Sequence, residues 1–209
     1  MISTKDITFS YQEDQTFLMP DLHCDAGNTI LITGDSGKGK TTYLHLLAGM
    51  LQAKTGEIVI DGTNLNNLSN KKRDQFRGQN IGLVFQQSHF LQAFTVLENL
   101  EMASTLSSGK ANSQKAKELL TRLGLKTQMH KKPHQLSLGQ QQRASIARAV
   151  SNEPKLILAD EPTSSLDDKN ASQVIELLTQ LSKDYKAALV IVTHDSRVIN
   201  QFTNKLTLV

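Results

Sequence analysis

The stretch TILITGDSGKGKTTYLHLLAGM restricts this chain more than any other. Gly34, Gly39, Lys40 and Thr41 meet the spacing G-x-x-x-x-G-K-[ST] between an apolar strand pattern and a helical one. Glycines at these places let the backbone curl so that successive amides face a β-phosphate, while the helix N-terminus adds its positive dipole end. Lys40 is set to reach the β/γ oxygens, and Thr41 offers a hydroxyl to Mg²⁺. The whole loop, Gly34, Asp35, Ser36, Gly37, Lys38, Gly39, Lys40, Thr41 and Thr42, is the expected nucleotide-binding segment. The bland alternative is a glycine turn before a helix, which the strand and helix contexts argue against. A serine-hydrolase elbow is excluded, because GDSGK lacks a glycine two residues after Ser36.

Around this loop, β-rich runs alternate with helical patterns. DITFSY, TILIT, EIVID, IGLVF, LILAD, ALVIVT and LTLV read as strands. Continuous apolar runs such as LILA suit strands buried on both faces, so an α/β fold with a mainly parallel sheet is expected. The closely spaced strands before about residue 65 suggest an added N-terminal antiparallel β layer. From roughly 95 to 152 the pattern is helical without a convincing strand, which predicts an inserted α-helical subdomain. The expected organisation is one domain over 1–209, with about 1–94 and 153–209 as the nucleotide-binding core. At 209 residues with 38% hydrophobic and 21% charged residues, the chain suits a single cored unit.

Other functions find little support. A net charge of +3, spread along the chain, is too mild to indicate nucleic-acid binding. The single cysteine, Cys24, rules out an intramolecular disulfide and a cysteine-rich metal site, and fits a reducing cytosol. The start MISTKDITFS resembles no signal peptide, and the run AALVIV is too short to span a bilayer, so membrane association is expected through a partner. His130 and His134 are four residues apart, but Pro133 between them opposes a shared helix face.

KLILADEP brings Asp160 and Glu161 to the end of a buried strand, the edge at which open α/β sheets bind ligands. Asp160 fits the role of holding Mg²⁺, directly or through water, and Glu161 that of polarising an attacking water. The alternative is two acids meeting solvent; the upstream phosphate loop favours catalysis. Alternation along a strand would point the two side chains apart and so give them separate roles. His194 in LVIVTHD would, taken alone, be only a satisfied polar residue.

In LSLGQQQR, Ser137 and Gln140 form S-x-x-Q before ASIARAV, the pattern of a capping box. Bare amides, a hydroxyl and a glycine at a helix start also make an anion site. GDSGKGKTT, VFQQ, LSLGQQQR, LILADEP, SSLD and VTHD, in this order, resemble the nucleotide-binding subunits of ABC (ATP-binding cassette) transporters, over nearly the whole chain. The resemblance implies ATP hydrolysis with Mg²⁺, in a head-to-tail homodimer whose two sites each close a signature motif over ATP held by the other subunit's phosphate loop. By position Tyr11 then stacks on adenine, although a strand aromatic in the core is the alternative for it. Gln86 links Mg²⁺, held by Thr41 and Asp160, to an integral-membrane permease. Ser137, Leu138, Gly139, Gln140 and Asp167 serve the opposite site, and His194 senses the γ-phosphate beside Glu161 and Lys40.

Leu138 departs from the family's usual L-S-G-G-Q, standing at its first glycine. A positive φ would strain it, so a helical backbone with the side chain packed or facing a partner is expected there. Ser165 in SSLD, where alanine is common, is a milder departure. RDQFRGQNIGLVFQQSHFLQAFTVLENLEMA is similar to the ATPases of lipoprotein-release, macrolide-export and cell-division type, a pattern shared in part with amino-acid importers. The chain stops soon after His194, which leaves no room for the regulatory domain some importers carry. The implied location is cytoplasmic, peripheral on the inner face of the cell membrane, with no nucleic acid as partner. A soluble ABC ATPase acting on DNA or the ribosome is the alternative, and a P-loop kinase or GTPase would leave LSLGQQQR unexplained.

Overall fold

The computed structural model describes residues 1–11, 16–35 and 37–208. From the N-terminus run β1 (Ile2–Phe9), β2 (Phe17–Leu18), β3 (His23–Cys24) and β4 (Thr29–Gly34). Then come α1 (Lys40–Leu47), β5 (Thr55–Ile60), β6 (Thr63–Asn64), α2 (Asn70–Asn80) and β7 (Ile81–Val84). Three helices follow in succession, α3 (Val96–Ser108), α4 (Ser113–Arg122) and α5 (Leu138–Val150). The chain continues through β8 (Leu156–Asp160), α6 (Asp168–Tyr185), β9 (Ala188–Val192), α7 (Ser196–Ile199) and β10 (Lys205–Leu208).

Two sheets result. One is parallel, in the order β10-β4-β9-β8-β7, and the other is antiparallel, β2-β1-β5-β6 with β3 also on β1. Side-chain alternation in the parallel strands divides the core. Ile30, Ile32, Leu156, Leu158, Val190 and Val192 face the antiparallel sheet and α1, together with Ile2, Ile58 and Ile60. Leu31, Ile157, Leu189 and Ile191 face the other way, against Leu100, Leu119, Ile146 and Leu178 of the helical layer. Both faces of the central sheet are thus covered, which is why its strands read as unbroken apolar runs.

The expected α/β architecture with an antiparallel N-terminal layer is what forms. Strand ends differ in detail. β1 starts at Ile2 rather than at Asp6, and its burial phase flips midway: Ile2 and Thr4 point inward before Asp6, Ile7 and Phe9 after it. Asp6 sits at φ 51°, where the register with β5 shifts, so this bulge breaks the alternation that a periodicity reading needs. β2, β3 and β6 are two-residue strands, defined by their pairing partners rather than by their own sequence. Val209, the last residue of the expected final strand, lies outside the described residues.

β7 and α5 approach closely at Gly82, where an added Cβ would stand 2.4 Å from the Ala149 carbonyl oxygen and 3.1 Å from Pro154 Cγ. Both neighbours are backbone or ring atoms that cannot swing aside. Gly82→Ala is expected to lower stability by roughly 1–3 kcal/mol, read as a fall in the denaturation midpoint.

Candidate active site

β4, β7, β8 and β9 are parallel, so their C-terminal ends open on one edge of the sheet. A cleft of about 580 Å³ lies there, and its walls include Gly34, Lys40, Thr41, Gln86, Asp160, Glu161 and His194. Asp35, Gly37, Gly39 and Thr42 line it too. Ser36 lies outside the described residues, and Lys38 borders a neighbouring hollow instead.

The loop adopts the curl its glycines permit. Gly34, Gly37 and Gly39 have φ of 146°, 82° and 84°. At Gly34 a Cβ would come within 2.5 Å of the Leu208 carbonyl oxygen, so β10 leaves no room for a side chain. Gly39 is the N-cap of α1 and no side chain caps that helix among the described residues, so its first amides stay available to an anion. Lys40 Nζ donates to the carbonyls of Gly34 at 2.7 Å and Asp35 at 2.8 Å. The ammonium therefore rests over the loop it would help to fill.

Thr41 Oγ1 donates to Asp160 Oδ2 at 3.3 Å, tying the start of α1 to the end of β8. Burial pushes the Asp160 carboxyl above its ordinary range, the neighbouring Glu161 adds to this, and the Thr41 hydroxyl opposes it. A cation placed there would reverse that penalty. Thr41, Asp160 and Gln86 offer oxygen donors on one cleft, a set suited to a hard cation that takes few protein ligands and completes its shell with phosphate and water. No group of three or more His, Cys, Asp or Glu able to hold a metal occurs among the described residues.

Glu161 departs from simple strand alternation. β8 ends at Asp160, and Glu161 takes φ 46°, a left-handed conformation that costs a non-glycine residue about 1–2 kcal/mol. The kink turns its side chain into the same cleft as Asp160. It is held there by donors that follow β9: Thr193 Oγ1 at 3.0 Å from Oε2, and the His194 amide at 3.1 Å from Oε1. The His194 ring Nδ1 lies 2.5 Å from the same Oε1. The Glu161 side chain is 11% exposed and lines the cleft from a fixed position, while the His194 ring is 73% exposed and reaches further into solvent.

Tyr11 lies beyond the end of β1 and is 65% exposed, so it is not a core aromatic. Its hydroxyl sits 2.9 Å from Thr42 Oγ1 and its ring packs edge-on against Phe9, which presents a flat face beside the phosphate loop.

Ser137, Leu138, Gly139, Gln140 and Asp167 do not line this cleft. Ser137 is the N-cap of α5, accepting from the Gln140 amide at 3.3 Å while the Gln140 side chain accepts from the Ser137 amide at 3.0 Å. The capping box is therefore complete. Leu138 is the first residue of α5, without positive φ, and is 60% exposed. The departure from glycine is accommodated because this position is helical and its side chain points outward. Gly139 cannot change so freely: a Cβ there would stand 2.9 Å from Asn170 Oδ1. Asn170 in turn donates its amide and its Nδ2 to Asp167, at 2.9 Å and 2.7 Å. The signature residues and Asp167 are thus neighbours on one surface.

Three further residues support the site, two of them, Thr193 and Asp195, within the VTHD stretch. Arg148 donates to the Ser88 and His89 carbonyls at 2.6 Å and 2.9 Å, so α5 grips the segment just after Gln86. Thr193 is fully buried beneath Glu161. Asp195 accepts from Thr163 at 2.7 Å and from Arg197, whose guanidinium holds its carboxyl down to about 2. That depressed value makes the contribution of Asp195 to folding complete above the ordinary carboxylate value of 3.8, and it is lost as pH falls from there towards 2.

Residues 19–164 match the family described as ABC transporter. The chain is 42% identical over 190 residues to the lipoprotein-releasing system ATP-binding protein LolD of Legionella pneumophila, a match spanning 90% of this chain and 84% of that protein. It is 43% identical over 182 residues to LolD 2 of Chlorobaculum tepidum, covering 84% and 74%. A dimeric ATP-binding cassette, MJ0796 in a post-hydrolysis state bound to ADP and Pi, is similar with a TM-score of 0.88 and 33% identity. That likeness covers 100% of this chain and 94% of the solved one.

Proposed function

Because the chain belongs to the ABC transporter family as an ATP-hydrolysing subunit, we propose that it drives a lipoprotein-release type permease as a head-to-tail homodimer. One observation carries this reading. The cleft with Lys40 and Glu161 is built on one edge of the sheet, whereas Ser137, Gly139 and Asp167 form a separate surface that does not line it. Two such surfaces need a second chain to meet. The transport names of the relatives leave the DNA- or ribosome-directed alternative without support.

In this reading the triphosphate takes the loop Gly34–Thr42 and draws Lys40 from its own carbonyls. Tyr11 stacks on the adenine. Thr41, Asp160 and Gln86 would hold Mg²⁺, which would supply positive charge against the phosphates. The Glu161 carboxylate, already oriented by Thr193 and His194, orders the attacking water and accepts its proton. His194 turns its exposed ring to the γ-phosphate. The partner's Ser137, Leu138, Gly139, Gln140 and Asp167 close the site, so neither cleft is complete alone.

The segment after Gln86 is gripped by Arg148, so its position follows α5. We assign residues 95–152 as the subdomain that transmits this movement to the permease. The chain's place in this reading is the inner face of the cell membrane, through that permease, which the transporter family supports; no helix among the described residues is long and apolar enough to cross a membrane.

The purified chain should hydrolyse ATP only with a divalent cation present. Asp160→Asn should raise the Mg²⁺ needed for half-maximal turnover by at least about tenfold. An unchanged Mg²⁺ requirement would remove Asp160 from the cation site. Co-expressed with a lipoprotein-release permease, the chain should sediment with membranes; recovery only in the soluble fraction would argue against that partner.

A further inference from the structure

Arg197 is the point at which the two functional surfaces of one chain are tied together. It lies on the short α7, three residues past the His194 ring that faces the cleft. Its Nε and Nη2 fork onto Asp195, at 2.9 Å to Oδ1 and 2.7 Å to Oδ2. Its Nη1 reaches the other way, to Asp168 Oδ1 at 2.6 Å and the Leu166 carbonyl at 3.4 Å.

The two ends of this fork belong to different jobs. Asp195 directly follows His194; its amide donates to Thr193 Oγ1 at 3.0 Å, and that hydroxyl donates to Glu161. Asp168 is the first residue of α6 and directly follows Asp167. Asp167 is joined through Asn170 to the surface under Gly139. A second strap, Thr163 Oγ1 to Asp195 at 2.7 Å, runs parallel to the first. The guanidinium therefore sits between the residues that act on ATP in this chain's cleft and the residues that present themselves to another chain.

We propose that Arg197 is a positioning residue that couples the two ATP sites of the dimer, making His194 and Glu161 of one site move as one body with the Asp167 that serves the other. The proposal rests on the head-to-tail reading above. Asp168 is 90% exposed, so its pair with Arg197 adds little to stability, and what it fixes is the orientation of the turn from Leu166 to Asp168. Arg suits this post because its planar fork fixes two carboxylates at a set angle, which a lysine point charge does not.

The test is the cooperativity of ATP hydrolysis by the full chain, compared across Arg197→Met, Asp168→Asn and the double variant. Two coupled sites set a ceiling of about 2 on the Hill coefficient. Each single variant should lower it towards 1 and reduce kcat, while nucleotide affinity, measured with a fluorescent ATP analogue, stays at the parent value. The double variant should behave like either single one, because both remove the same link. Asp168→Asn alters only an exposed carboxylate, so a folding defect cannot explain a loss of cooperativity there. If Asp168→Asn keeps full cooperativity while Arg197→Met loses activity and melting temperature together, Arg197 merely anchors α7 and the proposal is overturned. A cooperative parent whose variants all stay cooperative overturns the coupling alone. A non-cooperative parent whose Glu161→Gln form also stays monomeric with ATP overturns the shared-site reading, and the coupling with it.

Discussion

Glu161→Gln is expected to reduce ATP turnover by roughly 10²–10⁴-fold and to leave ATP bound in a stable dimer. The carboxylate is held in the cleft by donors at β9's exit, with Thr193 and the His194 amide fixing both of its oxygens. Glutamine has nearly the same shape, so the left-handed turn at φ 46° and the cleft walls are preserved. What it lacks is a base. Its side-chain oxygen still accepts from one donor, while its NH₂ meets the other donor unfavourably, which costs some local order without touching the phosphate loop. ATP affinity should therefore persist, and gel filtration with ATP and Mg²⁺ should show a dimer that the parent forms only transiently. Parent-level hydrolysis by this variant would remove Glu161 from the role of base.

What could be read from the sequence and what could not divides along the range of the interactions. The phosphate loop is contiguous, so its glycines, Lys40 and Thr41 announce themselves, and LILAD and ALVIV do so because burial on both faces leaves no polar interruption. α2 gives no such signal: NKKRDQFRGQN buries only Arg73 among its residues, and no apolar stripe marks it. The conformation of Glu161 was equally hidden, since alternation predicts that it points away from Asp160 and only the turn at the end of β8 brings both into one cleft. Arg148 and Arg197 act on groups 60 and 29 residues away, through a carbonyl and a carboxylate that no local pattern encodes. The capping box at Ser137 is legible because it spans four residues; the reason for Gly139, the approach of Asn170 from α6, is not.

Ser137→Arg is expected to stop turnover while leaving ATP binding by the single chain unchanged. Within its own chain Ser137 caps α5, and losing that hydroxyl costs roughly 0.5–2 kcal/mol. α5 withstands this, because Ala144, Ile146, Ala147 and Val150 anchor it in the core and the Gln140 side chain still accepts from the backbone amide at its start. The cleft that holds Lys40 is not lined by Ser137, so the first encounter with ATP is untouched. Across the dimer the change is severe: a long cationic side chain would stand where a hydroxyl and the bare helix start are proposed to meet the γ-phosphate. Removing one such preorganised donor typically costs about 10²–10³ in kcat, and blocking closure adds to that. Leu138 beside it is 60% exposed, on the face proposed to meet the partner. Ser137→Thr, which keeps the hydroxyl for both the cap and the ligand, should retain most turnover. Turnover by the Arg variant at the parent rate would reduce this stretch to a helix cap and nothing more.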